Sequence, residues 1–218
     1  MSQLNFLGSD LQRKFGEAMT LGSVFKAIEN DLKKVGEVVC QFKVNGLTLD
    51  EASEQRLAGA TLKEVQTLDV TSQKPSEILR GVLESWCLQL PKMIEKNDLL
   101  SADLRFKGVE GQLTAFVALV DDCRLLVDSL ISIDQVFPQL EIVQSRSWKQ
   151  AQTQMAQAIG EALAAFQKKD FTKLADILEY DMGHSMQVWL DILTRLQQST
   201  GNGSRHVVEG GSSSGASE

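Results

Sequence analysis

The sequence is poor in residues that carry reactive chemistry: 218 residues include three cysteines, two histidines and three prolines. An odd number of cysteines argues against a disulfide framework, and Cys40, Cys87 and Cys123 all lie in apolar runs. Such residues are typical of reduced, packed thiols. Because thiols stay reduced in the cytoplasm, we expect a cytoplasmic location.

The sequence also lacks long apolar segments and an excess of basic residues, and these two absences bear on membrane and nucleic-acid binding. The first 15 residues lack the charged start and long apolar stretch of a secretory signal, and no apolar run approaches the roughly 20 residues that cross a bilayer. The chain has 22 basic and 29 acidic residues, a net charge of -7, and acids flank its basic pairs. We therefore expect neither membrane insertion nor a nucleic-acid partner.

Hydrophobic residues make up 43% of the sequence, which is enough to form a folded core. The stretch "EVVCQFKVNGLTLD" alternates apolar and polar residues on both sides of Asn45-Gly46, which suits a type I′ turn and predicts a β-hairpin. A third strand is predicted through Leu68 and Val70. Together with a helix that begins after Thr20, these strands predict a small α+β unit.

From Pro75 onward the apolar residues recur at helical spacing, which predicts paired helices. Pro91 is expected to break or kink the first of them. The predicted fold class is α+β, mostly α, with a small three-stranded sheet followed by an antiparallel helical bundle. The predicted layout is an N-terminal arm (1–19), the helix-plus-hairpin unit (20–74), the helical bundle (75–198) and a disordered Gly/Ser-rich tail (199–218).

The densest polar constellation is "DILEYDMGHSMQ". Asp181 and His184 have the i, i+3 spacing found in carboxylate-bridged metal bundles. A di-metal site needs a second acid and histidine on another helix, whereas the other histidine, His206, falls in the tail. We therefore assign no catalytic, cofactor-binding or metal-ligating residue and expect no cofactor. The cluster is instead predicted to be an interaction surface, formed by Asp176, Glu179, Tyr180, Asp181 and His184.

Other reactive groups have structural interpretations. In "FVALVDDCRLLVDSL" an acid near the core is unavoidable. Arg124 is close enough in sequence to pair with Asp121 or Asp122, but Arg105 or Lys107 is the favoured partner. A thiol nucleophile would need a neighbouring histidine or lysine to lower its pKa, so buried thiols are favoured. No glycine-rich loop follows a strand and opens a helix, and the phosphate-site signal is absent.

Three stretches carry a family resemblance: "VCQFKVNGLTL", "TLKEVQTLDV" and "DFTKLADILEYDM". They resemble a family of uncharacterised bacterial proteins with a small β-hairpin unit in front of paired helices. The resemblance implies a bacterial cytoplasmic protein and brings no activity, cofactor or catalytic residue.

The function that we expect is non-enzymatic: a protein-binding or adaptor module that uses a strand edge or a groove between helices. Its partner is another protein or a second copy of the chain. Self-association is suggested by the apolar helix at 112–133 and the alanine-rich face at 151–165. Two alternatives stay open, namely an export or assembly chaperone of the flagellar type and a metal-dependent enzyme with a carboxylate/histidine site.

Overall fold

The structure is a computed structural model that describes residues 1–108 and 111–202. The chain divides into two compact units, Met1–Ile78 (unit 1) and Leu79–Glu218 (unit 2). A small antiparallel sheet near the start is followed by a helical region, so the predicted α+β, mostly α class is confirmed. Of the predicted disordered tail (199–218), residues 199–202 belong to the last described helix, so the predicted boundary is wrong. Residues 203–218 lie outside the described residues.

Unit 1 holds a four-stranded antiparallel sheet with helices. The strands run in the order β1-β4-β2-β3. Each sheet neighbour is antiparallel, and the ladder between β2 and β4 contains a register shift between Val39 and Gln41. The elements are β1 (Ser2–Leu7), α1 (Gly8–Phe15), α2 (Leu21–Lys34), β2 (Val38–Val44), β3 (Leu47–Thr48), α3 (Glu51–Leu57), a 3₁₀ turn (Leu62–Glu64) and β4 (Thr67–Gln73).

The predicted count of three strands is wrong, because residues 2–7 of the predicted arm form a fourth strand, β1. It pairs with β4 from Ser2↔Ser72 to Leu7↔Thr67. Leu4 and Phe6 stand opposite Val70 and Leu68, which are fully buried. Since partners directly opposite share one face of a sheet, both side chains extend the apolar inner face to the sheet edge.

The predicted hairpin turn is confirmed. Asn45 and Gly46 have φ values of 49° and 82°, the left-handed region that a type I′ turn requires. The Asn45 side chain also fastens the turn to the chain before β4: its Oδ1 accepts from the Gln66 and Thr67 amides at 2.7 and 3.1 Å, and its Nδ2 donates to the Glu64 carbonyl at 3.0 Å. Turn chemistry therefore sets the register of the sheet centre.

The core of unit 1 forms between the sheet and α2. The predicted apolar stripe of this helix is buried, and its Phe25 stacks on Phe42 of β2 with ring centroids 4.2 Å apart. Stacked aromatic pairs at this distance add to the stabilisation from area burial. The buried residues of α2 are Leu21, Val24, Phe25, Ile28 and Leu32.

Unit 2 is helical. Its first helix, α4, begins within the last residues of unit 1 and continues through Pro91, so the predicted break at that proline is wrong. Leu90 and Met93 on either side of the proline are buried, and tertiary packing of this kind outweighs a lost helical hydrogen bond. The helices are α4 (Pro75–Phe106), α5 (Leu113–Val136), α6 (Glu141–Gln144), α7 (Arg146–Gln167), α8 (Phe171–Asp176) and α9 (Gly183–Asn202).

The core of unit 2 centres on aromatic side chains from α7 and α9. Trp148 and Trp189 are fully buried and meet edge to face, with ring centroids 4.9 Å apart and an interplanar angle of 90°. This is a preferred geometry for aromatic pairs. Within residues 1–108 and 111–202, no helix combines the length and the apolar content that a membrane span requires.

Candidate functional site

The predicted interaction surface centres on an irregular helical segment between α8 and α9, with Asp176 at the end of α8 and His184 at the start of α9. Residues Ile177–Met182 form a π-helix, in which the Gly183 amide donates to the Leu178 carbonyl five residues earlier. Insertions of this kind are rare and occur often at functional sites. The sequence pattern predicted an ordinary helix here, because apolar spacing does not register one extra residue per turn.

A buried asparagine on α4 supports this π segment. The Nδ2 of Asn97 donates to the Leu178 carbonyl at 2.7 Å, and the residue is fully buried. A Cβ at Gly183 would lie 3.3 Å from that Nδ2, so the absence of a side chain at Gly183 leaves room for the amide. Sequence reasoning missed Asn97, although a polar residue within the apolar spacing of α4 was a usable signal.

The structure divides the predicted surface into two parts. In the first, Arg105 of α4 bridges Asp176 and Glu179, with its Nη2 2.7 Å from one carboxylate and 2.6 Å from the other. All three side chains are partly exposed, and such ion pairs contribute little to stability. The bridge instead fixes the positions of both acids.

The favoured partners predicted for Asp121 and Asp122 are wrong, although the alternative partner Arg124 does pair with Asp121. Neither acid is buried, so the expectation of an acid near the core is wrong as well. Asp122 pairs with Lys96 at 3.5 Å and Asp121 with Arg124 at 3.8 Å, while Arg105 is engaged by the acids of the π segment. Arg105 lies more than 70 residues before those acids in the sequence, so local spacing carried no signal of the contact.

In the second part, Asp181 and His184 line a cavity of about 230 Å³ together with side chains of α7. On the α7 wall of the cavity, the Gln157 Nε2 donates to the Glu161 carboxylate at 2.8 Å. Tyr180 does not line this cavity and is 62% exposed. The cavity offers hydrogen-bond donors and acceptors to a polar ligand group, and its remaining lining residues are Gln154, Ala158 and Ser185.

No group of three or more histidine, cysteine or acidic side chains in residues 1–108 and 111–202 is arranged to hold a metal ion. Cys123 is fully buried on α5 beside Met182, with its Sγ 3.8 Å from the Met182 Sδ. Burial raises the pKa of the Cys123 thiol to about 12, with a smaller contribution from Asp122. A thiol in this state is a poor nucleophile.

A larger groove of about 700 Å³ lies where α6 and the start of α7 meet α9. Along α9, Val188, Ile192 and Leu196 follow i, i+4, i+8 spacing and line the floor of the groove. Val188 is half-buried, whereas Ile192 and Leu196 are core residues that are only 6% and 1% exposed. A groove between helices was expected, but its location was not predicted, because its two sides come from segments more than 40 residues apart in the sequence. The other lining residues are Leu140, Glu141, Ile142, Ser145, Ser147, Asp191, Arg195 and Ser199.

Comparison with known families gives one match. The family model described as "Domain of unknown function (DUF8042)" covers residues 82–192, about half of the chain, including the π segment and most of the groove. No curated protein and no solved structure matches the chain. The match begins after the sheet, so the resemblance to bacterial proteins with an N-terminal hairpin stays a prediction.

Proposed function

We propose that unit 2 is a protein-binding module. The chain belongs to the DUF8042 family, whose model covers most of this unit. The groove of unit 2 between α6, α7 and α9 holds an amphipathic helix of another protein. The observation that carries the proposal is the groove of about 700 Å³, in which the half-buried Leu140, Ile142 and Val188 offer apolar surface beside a floor formed by Ile192 and Leu196.

The shape of the groove supports a helical ligand. Val188, Ile192 and Leu196 span about 12 Å along α9, at 1.5 Å per residue. A bound amphipathic helix presents apolar anchors at i, i+3 or i+4, and i+7, which cover a similar length. Leu140 and Ile142 supply apolar surface on the other side.

The charge of the chain supports a ligand with a basic polar face. Two of the three charged residues in the groove are acidic, Glu141 and Asp191, and the third is Arg195. The whole chain has a net charge of -7. A basic ligand is attracted by this field and meets carboxylates at the groove, which raises the association rate.

We further propose that the chain works in the cytoplasm, since its three cysteines are all free, and that it is bacterial, as the resemblance to bacterial proteins implies. Export or assembly chaperones of the flagellar type are one class that fits this chemistry, because they sequester apolar helices of a client. For an adaptor and for a chaperone alike, the size and lining of the groove support an amphipathic helix as the ligand.

A displayed library of amphipathic helical peptides tests the proposal. Selection on the full chain should enrich peptides with apolar residues at i, i+3 or i+4, and i+7 and with lysine or arginine between them. Ser199→Arg places a bulky cation in the groove and should weaken binding of the selected peptides by roughly tenfold or more.

Ser132→Arg is the matched control. Ser132 is an exposed helical serine on α5 whose Oγ donates to a backbone carbonyl, as the Oγ of Ser199 does, and it does not line the groove. Peptide affinity should be unchanged in this variant. Failure to enrich any amphipathic peptide, or equal affinity for both variants, would show that the groove is not a helix-binding site.

A further inference from the structure

The two edges of the sheet in unit 1 differ in how they are protected. At the β3 edge, the strand has two residues and its neighbour β2 carries Lys43 and a register shift, all features that discourage further strand pairing. At the β1 edge, the six residues "SQLNFL" include no charge and no proline. β1 therefore lacks the usual protection of an edge strand.

The β1 register shows which backbone groups face outward. The Gly8 amide donates to the Gln66 carbonyl at 2.7 Å and continues the β1–β4 ladder by one pair. Because hydrogen-bonded pairs alternate in an antiparallel ladder, Ser2, Leu4 and Phe6 bond to β4. The amides and carbonyls of Gln3, Asn5 and Leu7 point away from β4, on a side where no strand of the described residues lies.

The side chains of β1 leave apolar surface at the same edge. Leu4 is opposite the fully buried Val70, yet it is 38% exposed, because the inner face of the sheet ends at β1. A further strand would cover Leu4 if it placed an apolar side chain beside it. The edge therefore presents both unsatisfied backbone groups and a partly covered apolar face.

We propose that β1 pairs with β1 of a second copy of this chain, antiparallel and about a two-fold axis at Asn5. In this register the outward-facing Gln3 and Leu7 form hydrogen-bonded pairs with Leu7 and Gln3 of the other copy, and Asn5 pairs with itself. About six backbone hydrogen bonds result. The two sheets then continue as one eight-stranded sheet.

The strand is self-complementary in this register, and that favours a second copy over an unrelated strand. Leu4 of each copy stands opposite Phe6 of the other on the inner face, an apolar pair of the kind that stabilises antiparallel strands. Two-fold pairing sets Asn5 opposite itself and Gln3 opposite Leu7, so a charge at the axis or like charges at both flanking positions would repel the second copy. β1 has no charge to repel its copy. The interface uses unit 1 alone and does not depend on the groove of unit 2.

Two double variants that differ in the sign of one charge test this register. The Gln3→Lys, Leu7→Lys variant places a lysine of one copy opposite a lysine of the other at two positions. This repulsion should raise the dimer dissociation constant by roughly tenfold or more. Gln3→Lys with Leu7→Glu replaces the same two exposed residues but creates two opposite-charge pairs, so its dimer should persist. Light scattering on the full chain, with circular dichroism as a check on folding, measures both.

Mixing two charged variants should restore the dimer. The Gln3→Glu, Leu7→Glu variant should be monomeric alone but should form a heterodimer with the lysine double variant, at twice the 24.0 kDa mass of the chain. Leu47→Lys, on the opposite edge, should dimerise like the natural sequence. A natural chain that stays monomeric at high concentration, or a dimer that survives equally in both double variants, would overturn the proposal.

Discussion

At the scale of single residues, Asn97 has an unusual position. Its amide is fully buried, Nδ2 donates to the Leu178 carbonyl, and Oδ1 has no hydrogen-bond partner among the described residues. A buried polar atom without a partner costs about 1–3 kcal/mol. The hydrogen bond from Nδ2 joins α4 to the π segment. Asn97 therefore holds that segment in position, at some cost to the stability of unit 2.

Asn97→Asp should destabilise unit 2 strongly at neutral pH. The carboxylate can no longer donate to Leu178, and a buried charge without a partner costs about 3–5 kcal/mol. Burial raises the pKa of such a carboxyl, and its protonated form can donate again. The loss relative to the natural chain should therefore be full at neutral pH and shrink as the pH falls toward the ordinary value of about 3.9.

Urea unfolding followed by tryptophan fluorescence measures this loss. Leu99→Asp adds the same charge two residues away at a side chain that is 61% exposed, and it should change the free energy of unfolding by less than about 0.5 kcal/mol. Equal effects of the two variants would show that the Asn97 hydrogen bond is unimportant.

Cys123 should be unreactive in the folded chain. With a pKa of about 12, only on the order of one thiol in ten thousand is ionised at pH 8. A Cys40→Ser, Cys87→Ser variant keeps Cys123 as its single thiol. A colorimetric disulfide reagent should label this variant on unfolding in urea and hardly at all before. Rapid labelling of the folded variant would contradict the burial of Cys123.

At the scale of elements, two glycines differ in the space available for a side chain. A Cβ at Gly8, where α1 begins, would lie 1.9 Å from the Val65 carbonyl oxygen, whereas a Cβ at Gly160, inside α7, would meet nothing within 4 Å. Gly8→Ala should therefore lower the stability of unit 1 by about 1–3 kcal/mol through overpacking. Gly160→Ala should raise that of unit 2 by roughly 0.5–1 kcal/mol.

Calorimetric melting of both variants checks these signs, since each substitution adds the same methyl group. Destabilisation by Gly160→Ala would indicate that the exposed face of α7 is covered in solution. An unchanged melting profile for Gly8→Ala would contradict the close approach of α1 to the segment before β4.

Elements with local signals were predictable. The hairpin followed from Asn45-Gly46, whose φ values of 49° and 82° fit the predicted turn. β1 was not predictable as a strand, because "SQLNFL" has only three apolar residues and its partner strand lies 60 to 70 residues away. Non-local pairing decides its structure.

The candidate sites were less predictable than the fold. The residues from Asp176 to His184 were identified as a polar cluster, but the π segment and Arg105 divide them between two sides. The groove depends on packing between α6, α7 and α9, which leaves no motif in any one segment. Sequence spacing therefore identified helical faces and did not identify the concave surface between them.

At the scale of the whole molecule, each unit has its own apolar core. One cluster draws on residues 11–70 and the other on residues 79–196. All three tryptophans, Trp86, Trp148 and Trp189, are buried in the second cluster. Tryptophan fluorescence therefore reports on unit 2 alone.

Phe42→Ala should unfold unit 1 without affecting the fluorescence transition of unit 2. Removal of a buried phenylalanine costs about 3–5 kcal/mol, and its stacking with Phe25 is lost as well. The urea midpoint seen by fluorescence should stay constant, while amide exchange in β4 accelerates. A midpoint that falls in parallel with β4 protection would show one cooperative unit instead of two.

The most direct test of the central claim, that unit 2 binds a helix in its groove, is a map of amide chemical shifts on addition of a selected basic amphipathic peptide. Saturable changes should concentrate at residues 140–147 and 188–199, and Ser199→Arg should abolish them. Changes that concentrate instead at the Asp181–His184 cavity or along β1 would contradict the assignment of the groove as the binding site.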